Sequence, residues 1–478
     1  MLTIADLPNE ILEIILLGVE VQSVVRVRQV CRKFNGLICN SISIQYRIEL
    51  VIDGLEDGPP GGKSISDRLE TLRSRRSAWT AMQPTYERVI EFQIPNAMNI
   101  CPRIATRGHF AWVAWANDSE QAHLHILQVP SVYRGIPEKE WVIEGGVGNG
   151  DGVSFASAEC VAIEPDEDLL VVVENRDGDF TPVLRSLTTG QYHPEAIESE
   201  LPSMEGVEYD VVVVDVFQQY ACVLFNGFWG DIKQVHLYNW KTGEILLYME
   251  YMPAGFAFVS EQYFLIAHSN RDDVRMTLSV FDLRTFPRDD AIFMSKPSDV
   301  AIVATAQLHL PIYKGEAMQI IASSPHPRKH HANVPFYVGD NQVFVIRATL
   351  EDDQTLTLVV PWSTIQRGIR KCQEERKQSL EWGEWGPKGY SPIPEPKPEL
   401  QSLPKGMSPF LRPDMTAKHL YNFERMQTLV HLARKSVTNM GVAGQKMTIG
   451  DDYIIVDQWQ NQSEDGIAQS RHYHILSF

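Results

Sequence analysis

Leu7-Pro8-Asn9-Glu10-Ile11-Leu12, followed by Val30-Cys31-Arg32-Lys33-Phe34 and Leu37-Ile38, is the stretch from which the rest of the chain is read. It predicts three short helices that carry no catalytic chemistry. Pro8 suits a first helical turn, where its missing N–H would be unpaired anyway. Asp6 stands where it can cap that helix, and Glu10 lies near its positive end. Leu7, Ile11, Ile14 and Ile15 share one helix face, and Gly18 ends the helix. Val21, Val24 and Val25 form a second apolar set. Val27, Val30, Cys31, Phe34, Leu37 and Ile38 form a third at helical spacing. Leu12, Leu16 and Leu17 lie off the first stripe, so the bundle is apolar on more than one side. About forty residues bury little apolar surface alone. Such a module works by docking onto another protein, or serves as a helical cap on a larger domain.

The 478 residues allow a small domain and a large one, and an apolar content of 44% is ample for a core. Net charge is −18, yet residues 1–50 hold five Lys/Arg and five Asp/Glu, so the excess acid lies further along the chain. An acidic surface argues against nucleic acid or an anionic membrane as the main partner and would tolerate a basic one. It also serves solubility. Cys31, Cys39, Cys101, Cys160, Cys222 and Cys372 show no C-x-x-C pairing, as expected of reduced thiols in a reducing compartment. No apolar run reaches the length of a membrane span, and the N-terminus lacks the pattern of a signal peptide. The expected location is cytoplasmic, nuclear or both.

From about residue 85 helical period gives way to short β-branched and aromatic runs bounded by Gly, Asp, Asn and Pro. Strands are predicted at 111–115, 169–173, 211–216, 221–225, 264–267, 278–281, 343–346, 356–360 and 453–456. No long helices are expected between them, which excludes a doubly wound α/β fold. A weak repeat organises the strands. Leu124–Ser131, Val183–Gly190, Val235–Gly243 and Leu278–Thr285 each read as a strand, a polar residue, an apolar residue and a Ser/Thr turn. Their turn residues Ser131, Thr189, Thr242 and Thr285 stand 58, 53 and 43 residues apart. Propeller blades are four-stranded units of roughly 40–50 residues, so the spacing predicts a β-propeller of six or seven blades, with a two-sheet sandwich as the alternative. Eight prolines between Pro387 and Pro413 mark an exposed connection, or a ligand for a proline-reading domain. Met407 to Val430 reads as partly helical.

Several enzyme-like patterns fail on inspection. Gly58-Pro59-Pro60-Gly61-Gly62-Lys63-Ser64 has Asp57 where a phosphate loop needs its first glycine, and two prolines remove N–H donors, so it reads as a surface loop. Gly145 to Gly152 is followed by a strand, whereas a dinucleotide fingerprint must open a helix. His326, His330 and His331 lack the carboxylate or thiol framework of a metal site. No G-x-S-x-G or H-E-x-x-H motif occurs. The expectation is no catalytic residue, no metal site and no cofactor.

From Leu7 through Val30 to Phe34, the N-terminal stretch resembles the F-box of ubiquitin-ligase substrate receptors and keeps its spacing without a gap. It departs at Phe34, where Trp is usual, and at Val19, Val24 and Val25, where Leu is commoner. Tyr46-Arg47-Ile48-Glu49-Leu50, Gly54 to Gly58, and Asp67-Arg68-Leu69 to Trp79 resemble the segment after the F-box in a group of fungal (basidiomycete-type) F-box proteins. Val360-Pro361-Trp362-Ser363 and Trp382-Gly383-Glu384-Trp385-Gly386-Pro387 fit the same group.

The resemblance implies an α+β multidomain chain with a small all-α F-box at 1–45 and a linker with a short strand and helix at 46–90. A mainly antiparallel β-propeller at 91–478 would follow, with a Pro-rich insertion at 387–413. It implies a non-catalytic substrate receptor that links a protein substrate, through a Skp-family adaptor, to a cullin-RING ubiquitin ligase. The alternatives are a scaffold acting outside a ligase and an enzyme of unrecognised type. Adaptor contacts would fall on Leu7, Pro8, Ile11, Leu12, Ile15, Val24, Val25 and Val30. Leu69, Leu72 and Trp79 of the linker would face the larger domain, with Arg73, Arg75 and Arg76 in solvent. Phe228, Trp229, Trp382 and Trp385 are aromatic enough to anchor a substrate, or to pack between blades.

Overall fold

A computed structural model of the chain describes residues 4–59, 61–94, 103–115, 122–145, 155, 158–176, 178–203, 209–227, 233–250, 253–269, 275–286, 291–313, 315–323, 334–338, 343–350, 355–386, 393–394, 446–449, 453–460 and 469–478. The N-terminal part is helical: α1 (Asn9–Leu17), α2 (Val21–Val27), α3 (Arg32–Asn40) and α4 (Ile42–Asp53). Helix α1 starts at Asn9 with Pro8 as its N-cap residue, so Asp6 does not cap it. The third apolar set is split by a turn at 28–30, because α2 ends at Val27 and α3 begins at Arg32. Leu12, Leu16, Val24, Phe34, Ile38 and Ile44 form the bundle core. Ser41 caps α4, and its hydroxyl donates to Glu13 Oε1 at 2.6 Å, tying α4 to α1.

Helix α4 ends at Gly54, whose φ of 68° supplies the left-handed turn. Strand β1 (Leu55–Asp57) and helix α5 (Ile65–Ala81) follow. Ser64 opens α5 through a reciprocal capping box with Asp67, which is the structural role of the end of the Gly58–Ser64 stretch. Leu69 and Leu72 pack with Tyr46, Leu50 and Leu55, and Trp79 is buried. Arg75 and Arg76 depart from the expectation of solvent exposure, whereas Arg73 is exposed. Arg75 is 2% exposed. Arg76 donates to Glu49 (2.5 Å) and Asp53 (2.9 Å), and Arg73 reaches Glu49 at 3.2 Å. The carboxylates of α4 face α5 and draw the guanidinium groups in.

The remaining strands form sheets that follow one another along the chain. β2 (Tyr86–Ile94) is held over for the last of them. The first sheet is β3 (Arg103–Thr106), β4 (His109–Trp115), β5 (Ala122–Gln128) and β6 (Lys139–Ile143). The second is β7 (Ala158–Glu164), β8 (Leu169–Arg176) and β9 (Asp179–Ser186), with bridges Arg185↔Tyr192 and Val183↔Glu200 at its outer edge. The third is β10 (Tyr209–Phe217), β11 (Tyr220–Gly227), β12 (Lys233–Asn239) and β13 (Glu244–Met249). The fourth is β14 (Pro253–Phe258), β15 (Tyr263–Ser269), β16 (Arg275–Asp282) and, after β17 (Ile292–Met294) and α6 (Pro297–Val303), β18 (Ala306–Tyr313). β17 joins β13 in parallel. The fifth sheet runs through β19 (Gly315–Ser323), β21 (Val343–Leu350) and β22 (Thr355–Pro361); between its first two strands, β20 (Phe336–Val338) pairs with β1 instead. Helix α7 (Trp362–Glu375), β23 (Ser379–Leu380), α8 (Trp382–Trp385) and β24 (Ile393–Pro394) come next. β23 adds to β18 in parallel, and β24 to β22 antiparallel. The sixth sheet holds β25 (Lys446–Ile449), β26 (Tyr453–Gln460) and β27 (Gln469–Ser477), completed by β2.

All nine sequence-predicted strands lie within these elements, and the four repeat segments occupy the third strands of the first four sheets. The absence of a long helix between strands does not hold, because α7 runs for 14 residues. Pro361 precedes it and Gly368 lets it approach β18, where a Cβ would come within 2.9 Å of Leu308. Met407 to Val430 and nearly all of 387–413 lie outside the described residues; within the latter, Ile393–Pro394 is the edge strand β24.

Five pairs of neighbouring sheets pack face to face through apolar side chains. Phe110, Trp112, Tyr453 and Tyr473 fill the space between the sixth and first sheets. Val113, Leu124, Val161 and Leu170 join first to second; Val171, Leu184, Val223 and Tyr238 join second to third. Leu237, Leu247, Phe258 and Phe264 join third to fourth, and Leu278, Leu308, Phe344 and Leu358 join fourth to fifth.

The helices are seated on one end of these sheets. Trp79 stacks on Phe478 with ring centroids 4.2 Å apart, and Thr85 N donates to Ser477 O at 2.8 Å. Tyr46 shares its hydroxyl proton between Asp57 (2.8 Å) and Pro335 O (3.2 Å). Burial, followed by the Asp57 contacts, raises its pKa, so it stays a neutral donor. Arg68 donates to Asp57 at 2.6 Å and to Pro59 O at 2.7 Å. Gly58 N donates to Pro335 O at 3.0 Å, and a Cβ at Gly58 would lie 1.9 Å from Val334 O. Gly58→Ala should therefore lower stability by about 1–3 kcal/mol. Hydrogen exchange should accelerate at 55–57 and 336–338 and stay slow in α1–α4.

His236 on β12 and His268 on β15 are buried, and burial depresses both pKa values to about 4. The folded state holds them neutral, whereas the unfolded chain takes up protons near pH 6.5. Their contribution is full above that value and is lost as pH falls toward about 4. Urea unfolding across this range should show a loss on the order of a few kcal/mol. Replacing both histidines by Gln should flatten it.

Candidate functional site

Packing of α1 against the bundle through Leu12 and Leu16 leaves its other apolar face uncovered. Ile11 is 44% exposed and Ile14 67%, and Ile15 is exposed as well. Their i, i+3, i+4 spacing puts them on one side of the helix. Val25 on α2, and Val30 at 70%, are also exposed, as are Ile4 and Pro8, while Leu7 is half-buried. Lys33 Nζ donates to Leu7 O at 2.8 Å and fixes the segment ahead of α1. Arg47 of α4 donates to the carbonyls of Leu16 and Leu17 at the other end. The face is thus apolar, exposed and held on a framed helix.

Of the eight residues expected to contact an adaptor, Leu12 (1% exposed) and Val24 (2%) lie inside the core. They are corrected to residues that hold the bundle together. Ile14, read on the first stripe but left out of the contact set, is among the most exposed. The signal was in the spacing, but spacing alone does not say which of two apolar sides the bundle covers.

Among the expected substrate anchors, Phe228 and Trp229 lie outside the described residues. Trp385 is corrected to a core residue. It is fully buried, and its indole N–H donates to His309 O at 3.0 Å. Trp382 packs against the same core, edge-on to Trp385, and a Cβ at Gly386 would come within 2.6 Å of its ring. Helix α8 is a plug against β18. His326, His330 and His331 lie outside the described residues. Among the described residues no cluster of His, Cys, Asp or Glu could hold a metal ion, and no helix is long and apolar enough to cross a membrane.

One concave site was not visible in the sequence. A groove of about 690 Å³ opens where the turns of the third and fourth sheets meet. Tyr220, Leu283 and Phe286 form an apolar floor; Gln218, Glu244, Glu261 and Gln262 stand around it. Gln218 Nε2 donates to Glu261 at 2.5 Å, and Thr242 to Glu244 at 2.9 Å. Arg284, also at the groove, is committed to Asp282 by bonds of 2.9 and 3.1 Å. Two separate turns supply the carboxylates, so no local motif announces them.

Comparison with known proteins matches residues 4–50 to the F-box-like family. The chain therefore carries an F-box-like domain over α1 to most of α4. No curated protein matches the chain. Solved structures similar to it include the Dos1 propeller, at 10% identity over 80% of this chain and 94% of that one with a TM-score of 0.30. U3-55K is similar at 10% identity over 56% and 79%, with a TM-score of 0.25.

The division of α1 into a core side and an exposed side gives a direct test. Leu12→Ala should lower stability by about 2–5 kcal/mol. Ile14→Ser should leave the melting temperature unchanged or raise it. Thermal unfolding of the two variants reads the difference.

Proposed function

We propose that this protein is an F-box substrate receptor of a cullin-RING ubiquitin ligase. The observation that carries the reading is the F-box-like match at residues 4–50 coinciding with the uncovered isoleucine face of α1. On this reading Leu7, Pro8, Ile11, Ile14, Ile15, Val25 and Val30 bury their apolar surface against a Skp-family adaptor, which joins the chain to the cullin scaffold. Burying side chains of this size contributes about 1.5–3 kcal/mol each when complete, enough for a stable interface.

The sheets are read as a six-bladed β-propeller that holds a protein substrate. Three facts support this: the sheets follow chain order, five successive pairs pack face to face, and the early strand β2 completes the last sheet. Boundaries near 45 and 90 separate F-box, linker and propeller, although residue 45 falls inside α4, so the first two share one continuous helix. The chain works in the cytoplasm or nucleus.

The mechanism is positioning. Adaptor and substrate are held on one framework, so ubiquitin transfer is favoured by effective concentration, and this chain makes and breaks no bond.

Changing both Leu7 and Pro8 to Ala, together with Ile14→Glu, should abolish co-purification with a Skp-family adaptor while the sheets keep their unfolding transition. Cullin should accompany the adaptor on the unaltered chain. Adaptor capture surviving the triple change would defeat the assignment, and adaptor without cullin would point to a scaffold outside the ligase.

A further inference from the structure

The groove between the third and fourth sheets has the make-up of a recognition site. Its volume falls in the usual range for ligand pockets, and it combines an apolar floor with few polar groups. Glu244 and Glu261 have only neutral hydrogen-bond donors, Thr242 and Gln218, among the described residues. The nearby cation, Arg284, is engaged by Asp282. The groove therefore carries uncompensated negative charge beside buried aromatic surface. Gln218 and Gln262 add carboxamides. Each Nε2 already donates to a carboxylate, Glu261 at 2.5 Å and Asp282 at 2.8 Å, which leaves a carbonyl oxygen and a second N–H on each to match the alternating groups of an extended peptide backbone.

The site is also preorganised. Gln218 has a φ of 51°, a conformation that costs a non-glycine residue and persists only when its surroundings fix it. Its N–H donates to Glu164 at 3.2 Å, and its carbonyl accepts the indole N–H of Trp240. Glu164 is itself buried and paired with Arg107. The side chain is thus presented to the groove from a backbone pinned on both sides. The groove opens at the end of the sheets on which α5 and β1 are seated. Arg107, Glu164 and Gln218 tie the turns of the first three sheets together there, and Ser477 donates to Pro130 O beside Phe478.

We propose that this groove binds an extended protein segment bearing arginine or lysine, with the cationic side chain between Glu244 and Glu261 and its apolar stem over Tyr220 and Phe286. This rests on the receptor reading above and names the chemistry of the substrate segment.

The test selects short random peptides displayed on phage against the purified full chain and, in parallel, against E244Q/E261Q and E244K/E261K. The unaltered chain should enrich peptides carrying Arg or Lys. A selected peptide, labelled for fluorescence anisotropy, should bind E244Q/E261Q at least about tenfold more weakly and should weaken as salt is raised. The charge-reversed variant should enrich acidic peptides instead. Both side chains replaced are exposed carboxylates, so melting temperature and adaptor capture should stay as in the unaltered chain. No enrichment, enrichment without basic residues, or equal affinity for E244Q/E261Q would each overturn the proposal. Adaptor capture is scored separately: its loss with basic-peptide binding intact refutes the ligase reading and leaves the groove a peptide site.

Discussion

The pairing of β2 with β27 is the constraint on which the rest of the structure depends. Nine residues of each strand are in register, from Tyr86↔Ser477 to Ile94↔Gln469. An early strand thereby becomes the outer strand of the last sheet, and two edges that would otherwise invite aggregation are closed. The same pairing dictates where the helices go. Helix α5 ends at Ala81, a few residues before β2 begins, so it is delivered to the end of β27, where Trp79 meets Phe478. Because the two strands are separated by almost the whole chain, their pairing carries the loop-closure cost of a highly non-local contact.

The end of the sheets that receives the helices is held by buried polar groups as much as by apolar packing. Arg107, on a backbone with φ of 47°, pairs with buried Glu164 and donates to Val216 O at 3.1 Å, joining three sheets. Asp168 accepts from Ser186 and Thr188, and Lys241 reaches Glu167 at 2.9 Å. A buried ion pair adds little net stability over an apolar pair of the same shape, but removal of one partner strands the other charge. Such contacts fix geometry, which is what a surface for recognition needs.

Local features of the fold were legible in the sequence, and features set by distant partners were not. Runs such as Leu169–Val173 and Val211–Val216 announce strands because β-branched residues suit a pleated surface, and the Ser/Thr turns mark the third strands of the first four sheets. The F-box spacing was legible because helical period is local. Which face of α1 is covered depends on α3 and α4, so Leu12 and Val24 were misassigned to the surface. Trp385 reads as a binding aromatic until α7 and β18 enclose it. Arg76 reads as solvated until Glu49 and Asp53 of the preceding helix face it, and Arg75 until α5 packs and buries it. The groove depends on two turns that are adjacent only in space.

Positioning as a mechanism demands a stiff connection, and the linker has the construction of a strut. On the receptor function proposed above, a flexible tether would spread a bound substrate over a large volume and lower its effective concentration at the ligase. Here β1 pairs with β20, Arg68 and Tyr46 converge on Asp57 and Pro335, and α5 is bound to α4 by ion pairs and to the sheets by Trp79. These contacts act at two points along the linker: the β1–β20 ladder with the polar cluster around Asp57, and the Trp79–Phe478 stack. Rotation about either is blocked by the other. The exposed face of α1 therefore keeps a fixed direction relative to the turns of the sheets, and a segment bound at those turns is held at a distance set by the fold.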